Sequence, residues 1–518
     1  MATDTRARVS FRGRHRSILT AVAVLCSGAL GAAHGASWRV VPDIGVSETY
    51  SDNVAMVSDA AAEDGWITTV SPGLRVSGLG PRIQAFLDVR HDESYYHSQT
   101  SSNVGRSFLT SYATVEAIDN WLYVDASAAV APRSRSIFSA VTTNTSNVIG
   151  NQDETRVVQV SPNIRGRMFG NTDYLMRYTR IDARSKEDSL GHTQIDQATG
   201  SLRKPAGQGA IGWFADAMGT GVDRSTTGDE RRDDRVRGGL IVPVIPHLHV
   251  LAFAGRERTD FVSGVYESFS APGVGFEWRP TEHTEAIGMR EKRFFGNGHD
   301  VSVTHRTPRT AWRYSDVKDA AALPMGLAGF TRGSVYDLMS DLLTVSIADP
   351  VARDEAARAR TDQIGGATTA VVDATGVLAS RIFLDRTRQA SLALLGTRSI
   401  VTLILQRRDQ QLLENSATFL QDDFELSPDI RDSSGFLSWI HRLTPVLDLS
   451  LSASYVKREG LSVPDLEATQ RSGIAALNFS LSPKARGSLA VRFTNFSNLR
   501  DDSVIHERAF VGTLTQGF

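Results

Sequence analysis

Residues 448–455 read DLSLSASY, a strict alternation of polar and apolar side chains. Successive side chains of a β-strand point to opposite faces, so this segment would have one polar and one apolar face. Two environments suit such a strand. A soluble β-sandwich provides a core on one side, and a membrane β-barrel provides lipid outside and water inside.

The lengths of the connections between strand-like segments favour the barrel. Short turns rich in Gly, Pro, Asn and Asp occur at 78–81, 119–120, 170–173, 280–283, 307–309, 396–398, 444–445 and 482–484. Longer polar connections alternate with them, at 51–64, 97–106, 132–154 and 225–234. Outer-membrane barrels have short periplasmic turns and long extracellular loops, whereas a sandwich has no reason to separate them. The pattern predicts an all-β fold, a transmembrane antiparallel outer-membrane β-barrel of about 22 strands (range ~18–24, an even number).

The N-terminus predicts a secretory signal peptide over residues 1–35 and a barrel domain over residues 36–518. Five arginines precede an apolar stretch at residues 18–33, and Ala33 and Gly35 are the small residues expected before a cleavage site. An uncleaved membrane anchor is the alternative. Cys26, the only cysteine, lies inside this segment, so the mature chain is neither a disulfide scaffold nor a thiolate metal site. Its 51 basic and 57 acidic residues give a net charge of −6, which argues against a nucleic-acid partner.

Aromatic residues and the C-terminus support the outer membrane of a Gram-negative bacterium as the location. Trp121, Trp278 and Trp312 fall beside turns, where the membrane interface would place them. The chain ends in phenylalanine, and three apolar residues share one face of the last strand-like segment: Phe518, Leu514 and Phe510. They predict a signal for the barrel-assembly machinery.

Residues 317–366 break the strand rhythm and predict a helical insert. Val335, Leu338, Met339, Leu342 and Leu343 follow helical spacing, and a second helix would start at the Asp349-Pro350 pair. Strand parity predicts an extracellular insert. A plug inside the lumen is one alternative, and a hairpin that only covers loops is another.

Three segments resemble a family of outer-membrane barrels associated with PEP-CTERM and exosortase systems. They are GVSETYSDNV at 45–54, RFFGNG at 293–298 and VTHRTPRTAW at 303–312, and the helix at Asp349-Pro350 fits the family's inserted segment. The resemblance implies a barrel encoded together with exopolysaccharide-biosynthesis and protein-sorting genes. It transfers no functional residue to this chain.

Arginine is frequent on the predicted polar strand faces. The predicted lumen-lining residues are Arg75, Arg90, Arg165, Arg167, Arg177, Arg237, Arg256, Arg290, Arg306, Arg313, Arg408 and Arg492. Rings of guanidinium groups would favour anions, including an acidic polysaccharide. The competing interpretation is an internal network of salt bridges with carboxylates such as Asp88, Glu116, Asp125 and Asp448.

No catalytic residue, cofactor-binding site or metal site is predicted. The sequence contains no HExxH motif, and the pair His247 and His249 flanks a turn. The GNG segment at 296–298 is a hairpin turn without the lysine and helix of a phosphate loop. We therefore expect no enzyme and no cofactor.

The leading functional hypothesis is a channel or accessory component linked to exopolysaccharide export or to PEP-CTERM surface-protein systems. A non-conducting scaffold that binds an export partner is the first alternative and predicts a plugged lumen. An outer-membrane enzyme is the second alternative. Expected partners are outer-membrane lipid and lipopolysaccharide, the barrel-assembly machinery, and anionic exopolysaccharide or export partners, but no nucleic acid.

Overall fold

A computed structural model describes residues 36–98, 103–140, 147, 151–186, 192–207, 210–225, 228, 230–322, 339, 343, 353, 357, 381–413 and 423–518. The predicted signal peptide (residues 1–35) and Cys26 lie outside these ranges, so cleavage stays a prediction. No helix within the described residues is long and apolar enough to cross a membrane.

The described chain is dominated by antiparallel strands, each hydrogen-bonded to its neighbours in sequence. Their bounds are β1 (Ser37–Ser51), β2 (Gly65–Leu79), β3 (Ile83–Tyr96), β4 (Val104–Ile118), β5 (Leu122–Ser134), β6 (Gln152–Met168), β7 (Thr172–Ser185), β8 (His192–Lys204), β9 (Gly212–Arg224), β10 (Glu230–Ile245), β11 (Leu248–Thr259), β12 (Glu267–Ser270), β13 (Gly273–Thr281), β14 (Thr284–Arg293), β15 (Gly296–Arg306), β16 (Thr310–Ala321), β17 (Phe383–Leu395), β18 (Ser399–Leu412), β19 (Asp429–Thr444), β20 (Leu447–Gly460), β21 (Glu467–Ser480), β22 (Ala485–Asn498) and β23 (Ser503–Gly517). A 3-10 turn (Asp59–Ala61) and a short helix α1 (Asp423–Leu426) lie in connections.

The strands close into a barrel. β23 pairs with β1 from Ala509↔Ser51 to Gly517↔Asp43, so the sheet has no free edge. β12 and β13 both pair with β11 and together form one interrupted strand of the wall. Pro272 lies at the interruption and has no N–H to donate to a ladder. The 23-stranded sheet therefore builds a 22-strand barrel, which confirms the predicted fold class and strand count.

The outward surface of this barrel is its apolar surface. In β20, Leu451 and Tyr455 are exposed outside, as residues 448–455 predict, and the intervening serines face the lumen. All seven tryptophans are exposed. Trp66 lies at the outer end of β2, and five tryptophans lie near the rim of short turns: Trp38, Trp121, Trp213, Trp278 and Trp312. Trp439 lies deeper in the wall, opposite Leu451. An apolar outer surface with an aromatic girdle is that of a protein embedded in the bacterial outer membrane.

The last strand also follows its predicted pattern. Phe510, Leu514 and Phe518 share the outward face and are 61%, 51% and 64% exposed. This is a lipid-facing stripe beside the seam with β1. Its role as an assembly signal stays a prediction.

We predict that arginine in place of Leu451 lowers the free energy of unfolding by about 2–4 kcal/mol, because the charge would enter the hydrocarbon layer. Arginine at the neighbouring Ser452, which faces the lumen, should have a much smaller effect. Urea unfolding in lipid vesicles, followed by tryptophan fluorescence, measures both variants. Equal decreases in the free energy of unfolding would contradict the assignment of Leu451 to the outward face and of Ser452 to the lumen.

Candidate functional site

The lumen is the candidate site, and ten of the twelve predicted arginines face it. Arg256 and Arg290 do not, and here the prediction was wrong. Arg256 pairs across the sheet with the exposed Val236, and Arg290 pairs with the exposed Val274, so both arginines point outward. Both lie toward the outer ends of their strands, where the wall rises out of the hydrocarbon and polar residues occupy both faces. At these strand ends, the alternation of polar and apolar side chains does not show which residues face the lumen.

Half-exposed charges cover the inward face of β1–β7 in the half of the barrel nearest the short turns. Arg75 forms an ion pair with Asp88 at 2.7 Å, and both side chains are partly exposed, 48% and 35%. Arg177 forms one with Asp125 at 3.2 Å. We call this region the periplasmic vestibule. Its water-exposed wall consists of Asp43, Arg75, Asp88, Arg90, Glu116, Asp125, Arg165, Arg167, Asp173 and Arg177.

Most vestibule arginines already have a partner. Arg90 lies 2.9 Å from Asp92, and Arg167 lies 3.0 Å from Asp173. Arg165 stacks on the ring of Tyr123 at 3.9 Å. Basic and acidic side chains therefore alternate around the wall, as in the salt-bridge interpretation. Selectivity for anions stays a prediction.

Three other predicted residues line the lumen at different heights. Arg237 bonds Asp216 at 3.2 Å and Glu291 at 3.0 Å. Arg306 and Arg313 lie on the inward face close to the turn that joins β15 to β16.

The remaining predicted arginines, on β18 and β22, are buried. Arg408 bonds Asp385 at 2.6 Å and Arg492 bonds Glu507 at 3.1 Å, and none of these side chains is more than 4% exposed. Buried charges persist only where pairing and hydrogen bonds offset their desolvation. These arginines therefore hold the structure together and do not face a passing solute.

The connection between β5 and β6 folds into the barrel and covers Arg492. Arg458 donates to the carbonyl of Ile137 at 2.8 Å, and Asn498 donates to the carbonyl of Phe138 at 3.0 Å. Arg492 donates to the side chain of Asn147 at 3.1 Å. Around the ring, β4, β3, β2, β1, β23, β22 and β21 lie between β5 and β20. The described residues of this connection, 135–140, 147 and 151, therefore reach across the lumen, and we call them the crossing loop.

A second connection locks the crossing loop in place. Asp423 of α1 accepts hydrogen bonds from Ser136 Oγ at 2.6 Å and from the backbone N–H of Ile137 at 2.9 Å. Below them, Phe424 stacks on Phe383 with ring centroids 5.5 Å apart. The surrounding apolar cluster joins inward strand residues to loop residues: Met56, Ile137, Phe138, Phe424, Ile430, Leu466, Phe496 and Ile505. The outer end of the lumen is thus packed with the protein's own side chains.

Three described residues of the predicted helical insert lie inside the barrel. Met339, Leu343 and Ala357 are helical and no more than 4% exposed. They pack on inward-facing residues close to the short turns: Ala311, Ala393, Ile400, Ile404, Phe436 and Ile440. The chain leaves and re-enters the wall at the outer end, as parity predicts, but these residues occupy the lumen, and an extracellular position was the wrong expectation for them. The insert also begins later than residue 317, because β16 continues to Ala321.

Sequence reasoning missed a buried charge cluster on the wall of β10–β16. Arg293 bonds Glu257 at 2.6 Å and Asp319 at 2.8 Å, and its side chain is 3% exposed. Its guanidinium also lies 5.3 Å from the ring centroid of Phe295. Arg293 opens the RFFGNG segment, but a single arginine in a motif does not reveal partners on other strands.

The histidines of the described strands do not gather into a catalytic or metal centre. His249 faces the lumen, whereas His299 and His305 face outward. Within the described ranges, no group of three or more His, Cys, Asp or Glu residues is arranged to hold a metal ion.

No protein-family model matches this chain, and neither does any curated protein. Its fold is similar to three iron-uptake proteins, each aligned over 92% of this chain. They are the siderophore receptor PirA of Acinetobacter baumannii (9% identity, TM-score 0.44, 80% of that chain), the FrpB iron transporter of Neisseria meningitidis (10%, 0.46, 82%) and the ferric-catecholate import receptor Fiu of E. coli K12 (9%, 0.45, 81%). Likeness at this level carries no argument about function.

We predict that replacing Asp423 with Ala releases the crossing loop. The buried N–H of Ile137 would lose its acceptor, which costs about 1–3 kcal/mol. Hydrogen exchange of peptides covering residues 135–140 should rise accordingly. Leu426→Ala, at an exposed position of the same helix, is the control and should leave exchange unchanged.

Acid should loosen the connection between β1 and β2. A hydrogen bond from the His506 ring lowers the pKa of Asp59 below its usual 3.8. This contact therefore holds the connection against β23 at pH values above 3.8, and it is lost as the pH falls through the lowered pKa. Pepsin cleavage within residues 52–64 should therefore increase toward pH 2. The His506→Ala variant should already be cleaved at pH 5. Identical dependence of cleavage on pH in the variant and the wild type would contradict the role of the Asp59–His506 pair.

Proposed function

We propose that this barrel is an outer-membrane conduit that is closed at rest, open toward the periplasm and blocked at the outer end by its own connections. The observation that carries the proposal is the contrast between the two ends of the lumen. Arg75, Asp88 and Arg177 are half-exposed in the vestibule, whereas Arg492 and Glu507 are buried beneath the crossing loop.

A polar wall exposed to water has a direct physical use. A hydrated chain that carries hydroxyl or charged groups can exchange water for wall hydrogen bonds, whereas an apolar solute gains nothing there. Closely spaced guanidinium and carboxylate groups offer both donors and acceptors without a strong net field. This suits a long polar polymer and agrees with loading from the periplasmic side.

The sequence resemblance supplies the cellular setting of the proposal. We infer an accessory role in exopolysaccharide export or in a PEP-CTERM surface-protein system. This part of the proposal rests on the quoted sequence segments alone.

A non-conducting scaffold is the second candidate, and a specific observation favours it. Met339, Leu343 and Ala357 fill the inward face near the short turns, and a permanent plug would make the barrel a platform for an export partner. The two candidates differ in whether the internal packing can be released without unfolding the wall.

Conductance in planar bilayers tests the proposal. We expect the mature wild type to be mostly silent. The double variant Ile137→Ala/Phe138→Ala removes buried side chains that hold the crossing loop, and it should raise the open probability by about tenfold or more. Phe169→Ala is the matched control, because that phenylalanine is 90% exposed in a periplasmic turn.

Folding of each variant is checked by its migration in detergent gels without boiling. A folded double variant that stays silent, together with a silent variant in which residues 323–380 are replaced by a short linker, would contradict the conduit and favour the scaffold. Reversal potentials in a salt gradient then test anion selectivity, which Arg165→Glu/Arg167→Glu should weaken.

A further inference from the structure

The outward wall from β11 to β18 carries basic side chains that make no ion pair within the described part of the chain. Four of them are Arg256 on β11, Arg290 and Lys292 on β14, and Lys318 on β16. Register shows that they face outward: Arg290 pairs with His299, which in turn pairs with Lys318. We call these four residues the basic wall.

Neighbouring strands extend the positive surface. Arg386 and Arg388 share Asp316, at 2.7 and 3.9 Å. Arg407 and Arg431 share Asp409, at 3.6 and 2.7 Å. Each carboxylate thus serves more than one guanidinium, so the outward charge of β14–β19 is strongly positive although the mature chain is acidic overall.

The apolar band of the barrel narrows where the basic wall lies. The outward positions of β10 are uncharged over a long stretch: Val244, Val242, Leu240, Gly238 and Val236. On β14 only Thr284, Ala286 and Gly288 precede Arg290 on the outward face, and on β16 Tyr314 is followed at the next outward position by Asp316. At ~3.3 Å per residue these uncharged stretches measure roughly 26 Å on β10 and roughly 13 Å on β14.

A short apolar band brings lipid head groups down to the protein or thins the bilayer locally. The groups that then meet the wall must balance a concentrated positive charge at the membrane interface. Phosphate does this well, since it accepts charge-assisted hydrogen bonds from arginine and lysine.

We propose that the basic wall is a binding site for the phosphorylated head group of an outer-leaflet glycolipid. Arg256 and Arg290 provide planar donors, and Lys292 and Lys318 provide point charges, over an apolar strip that contacts the acyl chains. The site lies outside the barrel and is independent of the conduit, so failure of either idea leaves the other standing.

Native mass spectrometry of the full mature protein in detergent tests this site, with bisphosphorylated lipid A and dephosphorylated lipid A as probes. We expect binding of the phosphorylated lipid only. Arg256→Ala/Arg290→Ala/Lys318→Ala should weaken it about tenfold or more. The matched control is Arg156→Ala/Arg184→Ala/Arg508→Ala, which removes exposed basic groups elsewhere on the barrel and should change binding by less than about twofold.

Three results would overturn the proposal. Equal binding of the dephosphorylated lipid would mean that phosphate is not recognised. Equal weakening by the control variant would mean that only net charge matters. Displacement of lipid A by millimolar inorganic phosphate would mean that the wall holds a free anion.

A photo-cross-linking residue at position 290 in native membranes provides an independent readout. We expect an adduct with lipopolysaccharide. A discrete protein adduct would assign the wall to a protein partner and would also overturn the proposal.

Discussion

Every part of this structure depends on one constraint: in hydrocarbon, a backbone N–H or C=O group without a partner costs several kcal/mol. A closed sheet is one of the few solutions, and pairing of β23 with β1 supplies the closure. Closure fixes alternate side chains as inward or outward, so polarity is inverted relative to a soluble protein. The alternation in residues 448–455 is a direct record of that inversion.

The same closure leaves an interior that must be filled with water or with protein. Here the chain uses both. The vestibule keeps partly exposed ion pairs such as Arg75–Asp88, while the described residues of the crossing loop and of the helical insert pack against other parts of the inner wall. The buried Arg492–Glu507 pair bonds Asn147 of the crossing loop, so its charge contributes to packing and is not available to a solute.

The barrel, its strand number and the lipid-facing C-terminal residues were predictable, because each depends on local alternation and turn chemistry. Arg256 and Arg290 were misplaced because alternation marks the lumen only where one face meets hydrocarbon. The inward folding of the crossing loop could not be predicted from the sequence, because the Ile137–Arg458 contact joins residues 321 positions apart. No periodicity in either segment encodes that meeting.

The seam has a consequence for how the molecule is made. β1 is among the first strands synthesised, yet one of its two partners is β23, which ends at Gly517. Until the chain is complete, β1 presents an open hydrogen-bonding edge that could pair with any other strand. Closure of so distant a pair is slow, because a very long loop must be ordered first. A chain that stops early thus has two open edges and no membrane-compatible form.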